Sequence, residues 1–164
     1  MATQPDAAAM QEAIDKVAIG ELQSRYMFAL DWRDPEVYAS VFTDDAILEW
    51  PEGRSEGKAA IREACVRIGA YFDNLANAAG PNVKPFKLRH FVTNRVIDVR
   101  GDRARAWAYW LDLNNDNLPR YPYIPAYGYY EDDLVRTAGG WLFTHRKVFN
   151  EMTGGSPREI PLRD

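Results

Sequence analysis

A chain of 164 residues, 46% hydrophobic, 13% aromatic and 27% charged, has the size and make-up of one globular domain that folds without disulfides or a structural metal. A single cysteine, Cys65, makes no internal disulfide, and two histidines beside it cannot build a Cys/His zinc cluster, so no metal and a reducing, cytoplasmic setting are expected. Twenty Lys and Arg against 24 Asp and Glu, a net charge of -4, oppose nucleic-acid binding.

The first fifteen residues hold no basic segment followed by an apolar one, and no apolar run reaches the length of a membrane span, so neither export nor membrane insertion is expected. From about Ala9 to Leu30, the residues Ile14, Val17, Ala18, Leu22, Tyr26 and Leu30 recur at three- and four-residue steps. Glu12, Lys16, Gln23 and Arg25 fall on other faces, which predicts an amphipathic helix. Asp34-Pro35-Glu36 reads as an N-cap with proline in the first turn, opening a short helix through Val37, Tyr38, Val41 and Phe42. Ala46 to Trp50 reads as a strand and Pro51-Glu52-Gly53 as a turn. A third helix follows Gly57 through Ile61, Cys65, Ile68 and Tyr71, and the pattern dissolves into a loop near Asn74 to Pro85.

Beyond Leu88 the period becomes two. Leu88 to Val99, Arg103 to Leu113, Ala126 to Arg136 and Trp141 to Phe149 predict an antiparallel meander, turned at Gly101-Asp102 and Gly139-Gly140. The Pro- and Tyr-bearing connection from Asn114 to Pro125 is too long for a tight hairpin and is placed at the lip of a pocket. Helices first and strands after predict an α+β fold in one domain over 1–164, with its core at about 14–150 and an extended tail from Gly154. The aromatic content, five Trp, nine Tyr and seven Phe, suits an apolar cavity as well as a core.

His90 lies inside a predicted strand, where alternation puts Leu88, His90, Val92, Asn94, Val96 and Asp98 on one face. A two-residue turn at Gly101-Asp102 pairs Val96 with Trp107, Asn94 with Tyr109 and His90 with Leu113, giving a wall of His90, Asn94, Trp107 and Tyr109. A three-residue loop would bring Ala106, Ala108, Trp110 and Asp112 to the His90 face instead. Asp31 stands at the C-terminal end of the first helix, against the helix dipole. It reads either as the orienter of a His90 general base or as a turn aspartate, and His90 either as that base or as a buried histidine bonded to the backbone. Tyr26, a phenol donor or a core residue, is about 140° around a regular helix from Asp31, so a shared site calls for unwinding of the helix end. Facing the last turn, Asp132 is expected opposite His145 and Glu131 opposite Arg146 as cross-strand ion pairs. No phosphate loop, nucleophile elbow or His-Glu-x-x-His pair is present.

Tyr26 through Asp31-Trp-Arg-Asp34, Phe42-Thr-Asp-Asp-Ala46, Gly57 to Ile61, His90-Phe-Val-Thr-Asn94, Gly101-Asp102, Gly128-Tyr-Tyr130 and Gly139 through Arg146 together resemble the SnoaL-like branch of the NTF2-like superfamily. That branch holds scytalone dehydratase, the bile-acid 7α-dehydratases and hexachlorocyclohexane dehydrochlorinase. The resemblance implies a cystatin-like cone of curved sheet closed by helices, a dimer or trimer, and a cofactor-free His-Asp dyad falling on His90 and Asp31. It also puts the helix tyrosine on Tyr26, a recurrent asparagine on Asn94 and a basic substrate-side position on Arg146. The second histidine of scytalone dehydratase has no counterpart, since residues 107 to 115 contain none. The resulting expectation is a lyase or isomerase, dehydratase-like, for a small apolar cyclic or aromatic substrate. The alternative is a non-catalytic ligand-binding module or a structural subunit of the dioxygenase β type.

Overall fold

In the computed structural model, residues 6–78, 87–115, 117, 119 and 121–153 are described. Three helices, α1 (Ala7–Trp32), α2 (Pro35–Ser40) and α3 (Lys58–Ala78), accompany six strands. These are β1 (Phe42–Trp50), β2 (Gly53–Glu56), β3 (Leu88–Arg100), β4 (Arg103–Asn114), β5 (Tyr127–Thr137) and β6 (Gly140–Asn150). The sheet order is β2-β1-β6-β5-β4-β3. Strands β3 to β6 form the antiparallel meander read from the sequence, whereas β1 joins β6 in parallel, so the sheet is mixed. The fold is α+β, and the helices pack on one face of the sheet around a core that includes Ile19, Phe42, Ile61, Leu134 and Phe143.

The predicted element ends move for local reasons. Asp34 does cap α2, accepting from the amides of Glu36 and Val37, but the helix stops at Ser40 and Phe42 already begins β1. The turn after Trp50 opens a short strand, β2, that the sequence reading passed over. Helix α3 runs to Ala78, past the expected loop start at Asn74, because Leu75, Ala76 and Ala78 are good helix formers and no glycine or proline stands between Asn74 and Gly80. The rest of that loop, and the tail from Gly154, lie outside the described residues.

The face of α1 is not the expected one in its first half. Ile14 and Val17 are 57% and 73% exposed, while Asp15 is buried. The Asp15 carboxylate accepts two bonds from Arg136, at 2.5 and 2.6 Å, and one from the Trp141 indole at 3.1 Å. A buried carboxylate with such partners outweighs the apolar surface left outside on this turn. Gln23, expected outside, is also fully buried.

One irregularity in β3 governs the sheet's inner face. Pairing starts at Arg100↔Arg103 and runs through Val96↔Trp107 as expected, then shifts, so that Thr93 faces Tyr109 and His90 faces Asp112 rather than Leu113. Asn94 and Arg95 stand where the partner strand has one residue, a β-bulge, and Asn94 takes a left-handed φ of 52°. The bulge switches the inward phase from Ile97 and Val99 to Val92 and His90. A second bulge between Asp133 and Leu134 pairs Asp132 with Arg146, Asp133 with His145 and Glu131 with Lys147, correcting the expected partners.

Two measurements test these features. Asn94→Gly should leave the urea unfolding midpoint unchanged or raised, whereas a β-branched Asn94→Val should cost roughly 1–3 kcal/mol, since only glycine and asparagine accept that φ readily. The Arg136 guanidinium beside Asp15 outweighs the cost of burial and holds its carboxyl below the ordinary range. The stabilisation this gives is present above the ordinary carboxyl pKa and is lost as pH falls through the lowered folded-state value. The stability gap between the wild type and Asp15→Asn should therefore be wide near neutrality and close in strong acid.

Candidate active site

Between the helices and the inner face of the sheet lies a cavity of about 450 Å³, lined by residues that include Tyr26, Leu30, Tyr38, Trp50, Ile68, Tyr71, His90, Trp110 and Tyr130. His90 enters it from β3 just before the bulge. Asp31, in the last turn of α1, holds this residue at two points: Oδ2 accepts the His90 backbone amide at 2.9 Å, and Oδ1 lies 2.6 Å from the ring Nδ1. The side chains are 12% and 6% exposed, so the contact is shielded from solvent. An ionised carboxylate only accepts, which places the imidazole hydrogen on Nδ1 and leaves Nε2 as the basic lone pair. The reading of Asp31 as a mere turn residue does not describe this geometry.

No unwinding of α1 is needed to join Tyr26 to this pair. The helix is continuous to Trp32, and Arg33 in the left-handed conformation closes it with its amide on the Ala29 and Leu30 carbonyls. Tyr26 and His90 both line the cavity, and Asp31 meets the imidazole at Nδ1.

Asn94, Trp107 and Tyr109 do not line the cavity. The bulge carries Asn94 to the surface, where its Oδ1 accepts from the Thr93 hydroxyl. Tyr109 is 56% exposed on the opposite face of the sheet, and Trp107 shares that face, lying under the guanidinium of Arg105. Trp110, opposite Val92, lines it instead, and Asp112 stands opposite His90 on the same strand. These are residues of the set expected from a three-residue loop, brought to the cavity side by the bulge while the two-residue turn is kept. Trp110 is fixed by its indole N–H on the Phe149 carbonyl at 3.1 Å, across Gly128, where any Cβ would strike that same carbonyl.

Two further polar residues belong here: Tyr38, which the sequence did not single out, and Asp112, which only the three-residue-loop alternative put on the His90 face. Tyr38, on α2, is fully buried and its hydroxyl donates to that of Tyr26 at 2.8 Å, leaving the Tyr26 hydrogen for a ligand. Its position in an apolar helical stripe hid it. Burial raises the Tyr26 phenol pKa, opposed chiefly by Arg146, and burial carries Tyr38 and Tyr130 well above the ordinary value. The second is Asp112, whose Oδ1 accepts the Ala126 amide at 2.9 Å. Burial raises its carboxyl pKa, and the charge of nearby His90 and the Ala126 amide counteract part of the rise.

Arg146 lies under the cavity floor, outside the lining. It is fully buried, paired with Asp132 through Nε and Nη2 at 2.7 Å each, and packed 4.2 Å from the ring centres of Tyr26, Tyr130 and Phe143. Burial works against its charge, but the Asp132 carboxylate prevails and the guanidinium pKa is raised. Gln23 joins Asp132 at 2.9 Å and receives Arg95 from the bulge at 2.9 Å, so one polar chain ties β3, α1, β5 and β6 together. Among the described residues no group of His, Cys, Asp and Glu could hold a metal, and no helix is long and apolar enough to cross a membrane.

A mixed, curved sheet with helices closing an apolar cavity is the NTF2-like, cystatin-like architecture. An NTF2-like protein with a cystatin-like fold from Novosphingobium aromaticivorans superposes with a TM-score of 0.70 at 22% identity, covering 86% of this chain and 84% of that one. The chain belongs to the SnoaL-like domain family, whose model matches residues 11–147. A candidate scytalone dehydratase from the same bacterium is similar at 24% identity, TM-score 0.69, with 87% of each chain covered. A protein from Catenulispora acidiphila in complex with S-DNPA is similar at 25% identity, TM-score 0.69, covering 86% of this chain and 96% of that one. A search of curated proteins gave no match.

Removing Arg146 leaves Asp132 a buried charge without its main partner. Arg146→Met should cost about 3–5 kcal/mol in urea unfolding, and adding Asp132→Leu should recover much of it, because the lone charge and not the lost pair is what destabilises.

Proposed function

We propose that the protein is a cofactor-independent lyase or isomerase, dehydratase-like, acting on a small, largely apolar cyclic or polycyclic molecule. The observation that carries this reading is the double hold of Asp31 on His90 at the wall of an aromatic cavity. In the proposed reaction Nε2 of His90 removes a proton from carbon next to a carbonyl, and Asp31 keeps the ring oriented and stabilises its cation. Tyr26, with Tyr38 donating to it, gives its hydrogen to the oxygen where negative charge develops. In a dehydration the C–O bond then breaks, the carbon–carbon double bond forms, and the proton on His90 goes to the departing hydroxyl to leave as water. In an isomerisation the same proton returns to a different carbon.

A carrier or structural subunit has no need of a histidine held in one tautomer inside a cavity, so the catalytic reading is preferred. General-base catalysis of this kind contributes about 10²–10⁴-fold, and exclusion of water with the tyrosine donors supplies the rest. The test is incorporation of solvent deuterium into a panel of cyclic ketones and β-hydroxy ketones, followed by mass spectrometry. The wild type should label such compounds above background, and His90→Ala and Asp31→Asn should each lower the rate by about 10²–10⁴-fold without changing the unfolding midpoint much. Equal labelling by wild type and His90→Ala removes the base from the proposal.

A further inference from the structure

The cavity stripe of α3 is Ala64, Arg67, Ile68 and Tyr71, spaced three and four apart, so a guanidinium stands where the helical pattern asks for an apolar side chain. Arg67 is exposed, which puts it at the opening, and among the described residues it has no ion-pair or hydrogen-bond partner. Cations around it are engaged. Arg62 holds Glu36 and Glu63, Arg33 holds Asp73, and Lys58 binds Asp44. Across the opening, Glu52 in the turn between β1 and β2 also lines the cavity, and among the described residues it too is outside ion-pairing distance of any cation, Arg67 included.

We infer that Arg67 selects the substrate: a planar, apolar molecule carrying one anionic oxygen group, carboxylate, phenolate or sulfonate, that seats on Arg67 at the rim while its rings lie between Trp50, Tyr71 and Trp110. The choice of anion over cation follows from the two supports. Arg67 projects from the middle of a long helix, and its planar fork matches two oxygens at once, whereas Glu52 sits on an exposed turn. The apolar walls strengthen the pairing by keeping water from one side of it. Glu52 then acts against anions that approach from its side, fixing which way round the molecule enters. The inference rests on the proposed function only for which end of the molecule reacts, the end directed at His90 and Tyr26.

Two fluorescent probes with one ring skeleton separate charge from shape: anilinonaphthalene sulfonate and its uncharged parent, phenylnaphthylamine. Titrated into the full chain, Arg67→Glu should weaken the sulfonate probe by at least about tenfold and Arg67→Gln by a few-fold, while the neutral probe stays within about twofold. Glu52→Gln should tighten the sulfonate probe a few-fold, and added salt should narrow the gap between probes in the wild type. An unchanged sulfonate affinity in Arg67→Glu, or equal weakening of both probes, overturns the inference. His90→Ala should keep the full discrimination between probes. Loss of the deuterium exchange difference with discrimination intact therefore counts against the dyad alone, and loss of discrimination with exchange intact counts against Arg67 alone.

Discussion

The extra residue in β3 is the constraint on which the inner face depends. A strand has period two, so a single inserted residue moves every later side chain to the other face. With Asn94 and Arg95 accommodated in the bulge, the segment before it can send Val92 and His90 inward while the segment after it sends Ile97 and Val99 inward. A straight strand could satisfy one set only. The bulge also aims Arg95 across the sheet edge at Gln23, where Gly20 on α1 leaves room for the arginine stem. Local strain at one φ thus fixes both a polar tie to the helix and the aim of the imidazole.

The polar groups of the interior divide into two sets with different work. Arg146, Asp132, Gln23 and Arg95 bond to one another under the floor and hold the sheet against α1. Asp31, His90, Tyr26 and Tyr38 are bonded just enough to be oriented, and keep one lone pair and one hydroxyl hydrogen unspent. The sets meet at the ring of Tyr26, which rests on the Arg146 guanidinium. Burial raises the phenol pKa, and the cation against that ring offsets part of the rise while staying out of the cavity lining.

Much of this was legible in the sequence, and the misses share causes. The meander was readable because its strands alternate and its turns carry Gly101 and the Gly139-Gly140 pair. The His90–Asp31 pair was reachable because both residues oppose their surroundings, a polar ring in an apolar strand and an acid at the negative end of a helix. What periodicity cannot show is a change of phase. Asn94 carries no mark that separates a bulge from a strand residue, and from that one position came the misplacing of Tyr109, Trp107 and Asn94 itself. Likewise Asp15 and Gln23 look solvated until Arg136, Trp141 and Asp132, over a hundred residues away, are seen to receive them. Tyr38 was hidden by resembling the core, and Asp112 faced its histidine only in the alternative register, the one the bulge produces there.

The parallel pairing of β1 with β6 has a bearing on how the chain assembles. Phe42 meets Phe143 and Leu48 meets Arg146, partners separated by roughly a hundred residues, whereas the meander strands are joined by short turns. Closing so long a loop is entropically the most demanding step of the topology, so the hairpins form early and the seam between the two halves is sewn last. Phe42 and Leu48 thus meet their partners only once β6 is made, whereas α1 is tied to β3 through Asp31 and Gln23. Until then the cavity has the walls that β3, β4 and β5 give it through His90, Trp110 and Tyr130, and lacks the side closed by Val148.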